Sequence, residues 1–339
     1  MRFIYKLIRL NRLIPSYRLK LIAVLICDII GVRHLFLRLD PVNACNLKCR
    51  MCYFSDKDYQ QRVRGRFSDD DLDRVSDIFF SKALQLVVGC SGEPTVHKNY
   101  LRVIERAKKS GVPFVGLTTN AQLLNSESIE ELVDLELDEI TVSVHGVHES
   151  SYNRFMEGAK FDVLLTNLKK LKDVKVARGN KKPALRINYT VNEENLDELR
   201  GFFDVFGDFD IDTLQIRPMA DVGKTDFAYR KFGSGEIHRY DVLLNDLSKE
   251  CQKRRITLLA TKKNINFEKN EKGVSYALPA VLRTIHPNKV WKVDFDWRNE
   301  TYREYCRRTK WRKILMSSIF TRREFFKQSQ LYLTYDIDF

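Results

Sequence analysis

Residues 35–52 read LFLRLDPVNACNLKCRMC: a run of strand character from Leu35 to Asp40 leads directly into a short loop carrying Cys45, Cys49 and Cys52. Large apolar residues closed off by Asp-Pro predict a strand that ends at Asp40. The chain has 339 residues and seven cysteines, at 27, 45, 49, 52, 90, 251 and 306. An odd count with three members crowded into a C-x3-C-x2-C loop is not a disulfide framework. It predicts a metal or redox site in a reducing compartment, and hence a cytoplasmic protein.

Working outward, apolar runs of strand length at 35–40, 84–89, 112–119, 138–144, 184–191 and 211–218 alternate with helical patterns near 69–83, 98–110, 127–136, 161–175 and 193–205. Ser128 with Glu131 predicts a capping box, and Asn192 an N-cap for the last of these helices. Strands separated by helices of this length predict right-handed βαβ crossovers and a parallel sheet. Six such units fall short of the eight of a closed barrel. The expected fold class is therefore α/β, a partial (β/α)6 TIM-like barrel over residues 35–220. A basic helical segment, 1–34, precedes it, and an α+β extension, 221–339, follows as a substrate-binding or capping region. In that extension the pattern predicts a helix near 236–254, a strand at 256–261 and an irregular tail. Chemistry in such folds collects at the carboxyl ends of the strands.

Composition excludes wholesale disorder, with 44% hydrophobic and 30% charged residues. Lys and Arg number 58 against 45 Asp and Glu, a net charge of +13. That balance favours an anionic partner: nucleic acid, a phosphorylated substrate or an acidic lipid surface. The first 27 residues carry Arg2, Lys6, Arg9, Arg12, Arg18 and Lys20 and end in the apolar run 21–27. Seven apolar residues are too few to span a bilayer, which takes about 20. The run has no small-residue cleavage site after it and does not read as a signal peptide. Apolar positions 3, 7, 10, 14, 17 and 21 form a helical stripe broken at Pro15. Such a helix lies on a membrane surface, as a peripheral contact on the inner face, or packs on the protein's own body. Between Arg303 and Lys327 nine basic residues stand against Glu304 and Glu324, with Tyr305, Trp311, Phe320, Phe325 and Phe326 among them. This is a nucleic-acid or lipid-headgroup surface, or a helix with an aromatic core face and a solvated basic one.

Three thiolates on one loop can hold three irons of a [4Fe–4S] cluster and leave the fourth open. A structural zinc site wants four closing ligands, and Cys90, Cys251 and Cys306 stand alone. At this point the sequence resembles the radical S-adenosylmethionine (radical SAM) superfamily. The match rests on Cys45, Cys49 and Cys52 after the first strand and on further positions in the family's order. Cys90-Ser91-Gly92-Glu93-Pro94 after the second strand is similar to the family's Gly-Gly-Glu-Pro turn, with Ser91 in the first Gly position. Glycine lets the backbone approach a ligand closely, and the turn's carbonyls with Glu93 can receive an amine. The resemblance implies the amine of S-adenosylmethionine. Thr118-Thr119-Asn120-Ala121 resembles Thr-Asn-Gly, with Ala121 replacing Gly. Ser143-Val-His145-Gly146 resembles Ser-x-Asp-Gly, where Ser143 would contact the cofactor and His145 replaces the acid, whose role is therefore not carried over.

On the fifth strand Arg186 and Asn188 share one face and are read as cofactor contacts, while Arg217 ends the sixth. Either arginine can clamp a carboxylate or phosphate, or form a structural ion pair. His145 and His148 read as a turn rather than a second metal site. The family implies a [4Fe–4S] cluster, S-adenosylmethionine, an external one-electron reductant such as flavodoxin or ferredoxin, and a 5′-deoxyadenosyl radical that abstracts hydrogen from a substrate. Without a cysteine-rich C-terminal domain the chain reads as a single-cluster enzyme acting on an anionic or membrane-associated substrate. Nothing in the sequence points to an obligate oligomer. The alternatives are an RNA-modifying or RNA-binding protein and a non-catalytic zinc protein.

Overall fold

The structure is a computed structural model that describes residues 13–222, 224–261, 266, 278–320 and 336–338. Positions 1–12 of the basic N-terminal segment, and Phe325 and Phe326 of the basic tail, lie outside the described residues. Six strands occur where the apolar runs predict them: β1 (Leu35–Leu39), β2 (Ala83–Val88), β3 (Phe114–Thr119), β4 (Glu139–Val144), β5 (Ala184–Val191) and β6 (Ile211–Pro218). Each pairs in parallel with the next. The residues after 220 continue the same sheet at both edges. β7 (Thr257–Ala260) adds in parallel to β6, and β8 (Leu282–His286) in parallel to β1. The short antiparallel strands β9 (Lys289–Val290) and β10 (Asp336–Asp338) flank β8 and β7. The described strands form an open row, β9-β8-β1-β2-β3-β4-β5-β6-β7-β10, which is a partial barrel.

Alternation along the strands sorts the two faces of the sheet. Leu37, Leu86, Val115, Ile140, Ile187 and Leu214 join one core with the covering helices. Those helices include α1 (Tyr17–Ile30), α2 (Asp69–Phe79), α3 (Tyr100–Lys109), α4 (Ser126–Asp134), α5 (Phe161–Ala177) and α6 (Ser234–Arg254). The opposite face is polar: Arg38, Thr141, Ser143, Arg186, Asn188 and Gln215 alternate with the core positions. α2 starts at a Ser68–Asp71 capping box with three acids in its first turn, and α3 ends on Arg106, Lys108 and Lys109, so both complement the helix dipole.

Three local expectations need correction. The capping box of α4 is made by Asn125 and Ser128, not Ser128 and Glu131: Asn125 Oδ1 accepts from Ser128 N at 2.8 Å and Ser128 Oγ from Asn125 N at 3.0 Å. The helix expected at 193–205 is replaced by turns, a 3-10 segment (Asp197–Gly201) and a short helix (Phe202–Phe206). The reason is that Asn192 Oδ1 turns the chain by accepting from Glu194 N and Asn195 N, while Asn195 Nδ2 donates to Thr190 O and His145 O. The tail expected to be irregular contains β8 and the helices α7 (Tyr302–Arg308) and α8 (Trp311–Phe320). Tyr305 and Trp311 are buried there against Trp291, over whose ring the Arg283 guanidinium lies 4.1 Å from the centroid, so these two aromatics serve the core.

Candidate active site

The cysteine loop leaves β1 at the carboxyl end of the sheet. Lys48–Cys49 pairs antiparallel with Met156–Glu157, and Cys52 N donates to Cys49 O at 2.9 Å, which curls the loop back on itself. Backbone amides already aim at two of the sulfurs: Leu47 N at Cys45 Sγ and Phe54 N at Cys52 Sγ, each 3.4 Å. Asn120 Nδ2 lies 3.9 Å from Cys45 Sγ. Burial pushes the Cys45 thiol up to about 12 and raises Cys49 well above its ordinary value, with the neighbouring cysteines adding to both. Burial raises Cys52 as well. Three thiols held this close and this dry become thiolates only when a cation takes their charge, as a cluster's irons do. Among the described residues no three His, Cys, Asp or Glu side chains converge on a single-ion site. Three cysteines on one short loop match the three corners of a cubane whose fourth iron stays open.

Two further turns are fastened to this loop. After β2, Cys90 N and Ser91 N both donate to Asp40 Oδ1, at 2.6 and 2.9 Å, so the last residue of the β1 run holds the second turn. Glu93 N donates to Ala44 O at 2.8 Å. Between them Gly92 approaches so closely that a Cβ would lie 2.7 Å from Ala44 O and 2.8 Å from Val42 O, which leaves room for glycine alone. The Glu93 carboxylate accepts from Thr95 Oγ1 (2.6 Å), Thr95 N (3.2 Å), Thr119 Oγ1 (2.7 Å) and Asn120 N (2.7 Å). It clasps the β2 turn to the end of β3, and Pro94 is buried beside it. Ala121, in the position of the family's glycine, has φ +61° and so adopts the left-handed turn. Its N–H donates to Thr119 Oγ1 and its carbonyl accepts from Asn167 Nδ2, bonds that hold an alanine where glycine is preferred.

On the polar face Ser143 lies in register with Asn188, whose Oδ1 is buried without a partner. His145 Nδ1 is likewise buried and unpartnered. Burial, with Arg217 nearby, pulls His145 down to about 4, so the ring is neutral. His148 is exposed. These unsatisfied polar atoms at the ends of β4 and β5 suit a polar, nucleoside-like ligand.

Arg186 is placed elsewhere. It pairs with Glu139 at 2.8 Å, both near the amino ends of their strands and away from the cysteine loop. A buried carboxylate on the first residue of β4 captures it there, so the ion-pair reading describes it and the cofactor-contact reading does not. Arg217 sits exposed near the carboxyl end of β6.

Sequence reasoning missed two features. Asp40 is 1% exposed and is the hinge between two turns; its signal was its position next to the proline that ends β1. Residues 225–229 strap the cysteine loop: Asp226 N donates to Ser55 Oγ, and Phe227 packs with Met51, Phe155 and Met219. No residue pattern announces that strap, because its contacts span more than 170 positions.

Residues 39–206 match the sequence model of the Radical SAM superfamily. Among curated proteins, the chain is 23% identical over 197 residues to a probable GTP 3′,8-cyclase of Sulfurisphaera tokodaii, covering 58% of this chain and 60% of that protein. It is 26% identical over 173 residues to the tungsten-containing aldehyde ferredoxin oxidoreductase cofactor-modifying protein of Pyrococcus furiosus, covering 48% of this chain and 46% of that one. The chain thus spans about half to three fifths of these relatives' lengths. Among solved structures, SuiB of Streptococcus suis bound to S-adenosylmethionine superposes with a TM-score of 0.60 at 15% identity, over 81% of this chain and 64% of that one. The enzyme anSMEcpe with bound AdoMet and a peptide gives 0.51 at 17%, over 66% and 63%. Those likenesses establish a shared fold, and the three cysteines, the Gly92-Glu93-Pro94 turn and the Asn120 turn lie inside or on the matched region. Through residues 39–206 the chain belongs to the radical SAM superfamily, enzymes that use a [4Fe–4S] cluster and S-adenosylmethionine.

Proposed function

We propose that Cys45, Cys49 and Cys52 hold a [4Fe–4S] cluster with S-adenosylmethionine on its open iron, and that the chain abstracts a hydrogen atom from an unreactive carbon of an anionic substrate. The observation that carries this reading is the convergence of three cysteines with the Glu93 and Asn120 turns, locked together through Asp40 and Glu93. When bound, cluster and cofactor supply one electron and a cleavable S–C5′ bond, the source of a 5′-deoxyadenosyl radical.

The chain's own residues supply position and dryness. Gly92 brings backbone carbonyls to the loop, which leaves amine recognition to those carbonyls because the Glu93 carboxylate is occupied by four protein donors. Ser143, Asn188 and neutral His145 offer polar contacts along the nucleoside. Met51, Phe155, Met219 and Phe227 exclude water from the far side of the loop. Exposed Arg217 supports an anionic substrate, as does a relative named as acting on a nucleoside triphosphate. An external one-electron donor of the flavodoxin or ferredoxin type completes the requirement.

Anaerobic reconstitution tests the reading. About four irons per chain, an EPR spectrum of the reduced protein altered by S-adenosylmethionine, and 5′-deoxyadenosine formed by the wild type but not by Cys49→Ala are expected. A colourless protein with one tightly held zinc overturns it.

A further inference from the structure

α1 is apolar on two sides. Leu21 is fully buried, and Val24 and Leu25 pack with it against the core. Leu19, Ile22, Ile26, Ile29 and Ile30 all face solvent instead, Ile30 at 65% exposure. Their spacing of three, four, three and one residues puts them on one stripe of about 100°. α8 packs along α1, pinned by Arg312 Nε to Asp28 Oδ2 at 2.7 Å. It adds Met316 and Phe320, one turn apart and 50% and 75% exposed. The two packed helices therefore hold seven large apolar side chains out to water between them, where a soluble surface would carry scattered apolar residues.

The charge around that face has one sign. Asp28 is the single acid between residues 13 and 33, and its charge is paired with Arg312. Residues 305–320 contain no acid and carry Arg307, Arg308, Lys310, Arg312 and Lys313. Arg18 lies one turn before Ile22 and Lys313 one turn before Met316, so exposed bases stand at the ends of both stripes. α1 has 14 residues, about 21 Å, and no described helix is long and apolar enough to cross a membrane.

We infer that the α1–α8 face seats the enzyme on an anionic lipid surface. The apolar stripe enters the boundary between headgroups and acyl chains, while Arg18, Lys310 and Lys313 meet lipid phosphates. A second copy of the chain is a poorer occupant, because a two-fold contact through this face would bring its bases against the same bases. The inference is independent of the radical chemistry.

Flotation of the full chain with vesicles tests it. The expected result is binding to vesicles of phosphatidylcholine with 30% phosphatidylglycerol and none to phosphatidylcholine alone, weakened at 0.5 M salt. Ile26→Gln with Phe320→Gln replaces exposed side chains and should weaken binding about tenfold or more while iron loading and 5′-deoxyadenosine release stay unchanged. Lys313→Glu should act in the same direction and abolish part of the salt dependence. Absence of binding to either vesicle, undiminished binding by the double variant, or a dimer in sedimentation that the double variant dissolves would each overturn the proposal.

Discussion

At the scale of single residues, the site is built by side chains that bond to backbone. Asp40 accepts two amides with one oxygen and is otherwise sealed from water, which raises its pKa through burial. Asp40→Ala removes the acceptor that the Cys90 and Ser91 amides share, a cost of about 1 kcal/mol each. The expected outcome is a lower unfolding midpoint and weaker S-adenosylmethionine binding by calorimetry. Asp40→Asn keeps a carbonyl oxygen in place and should recover most of both. His145 is the second test. Its folded pKa, about 4, lies below the ordinary 6.5, so between those values the unfolded chain binds more protons than the folded one. Stability contributed by the neutral ring is full above pH 6.5 and is lost as pH falls toward 4, by about 2 kcal/mol for a ring that keeps partial exposure. Denaturant titrations at pH 7, 6, 5 and 4 should show that slope in the wild type and a shallower one in His145→Gln. Equal slopes would remove His145 from the account.

At the scale of elements, the six strands were legible because each is an apolar run of strand length set between helical patterns, a signal that survives without knowledge of the partner strand. Caps were less legible. Both Asn125 and Ser128 can start a helix, and the choice between Asn125–Ser128 and Ser128–Glu131 depends on where the preceding loop delivers the chain. Substitution distinguishes them: Asn125→Ala should lower stability by about 1 kcal/mol, whereas Glu131→Ala, on the exposed side of α4, should leave it unchanged within about half that. The loop at 192–196 was misread for a related reason. Asn192 does look like an N-cap, but Asn195 spends its amide on Thr190 O and His145 O, a tertiary demand that outweighs helix propensity. Within the candidate site the cysteines and both turns were readable as motifs. Arg186 was not, because its partner Glu139 lies on a different strand and only the sheet register brings them together.

At the scale of the whole molecule, residues 278–320 return to the strand that carries the cysteine loop. β8 consists of five residues, one of them the buried Arg283, and carries no strand signal of its own; pairing with β1 makes it a strand. That pairing also supports the cysteine loop. Asp40 N donates to Ile285 O at 2.9 Å, and Asn43 Nδ2 donates to Asn288 Oδ1 at 2.7 Å across 245 positions of sequence. Leu21 of α1 joins the same core as Leu35, Leu37 and Leu39 of β1, and α1 in turn packs on α8. Residues 278–320 thus close the edge of the sheet on which the cluster loop depends, and they do so through contacts that form only after most of the chain is made. Ending the chain at residue 277 should leave β1 paired on one side only, as a sheet edge with a hydrophobic outer face, and produce aggregation rather than a smaller soluble enzyme. Arg283→Met separates this from a simple loss of charge, because it keeps the strand and its packing while removing a buried cation whose Nε has no partner. The full chain carrying that substitution should melt cooperatively and reconstitute with iron, and the shortened chain should do neither. A truncated protein that is monomeric by size exclusion, unfolds in one transition and takes up iron through Cys45, Cys49 and Cys52 would show that β1 and its loop stand without β8.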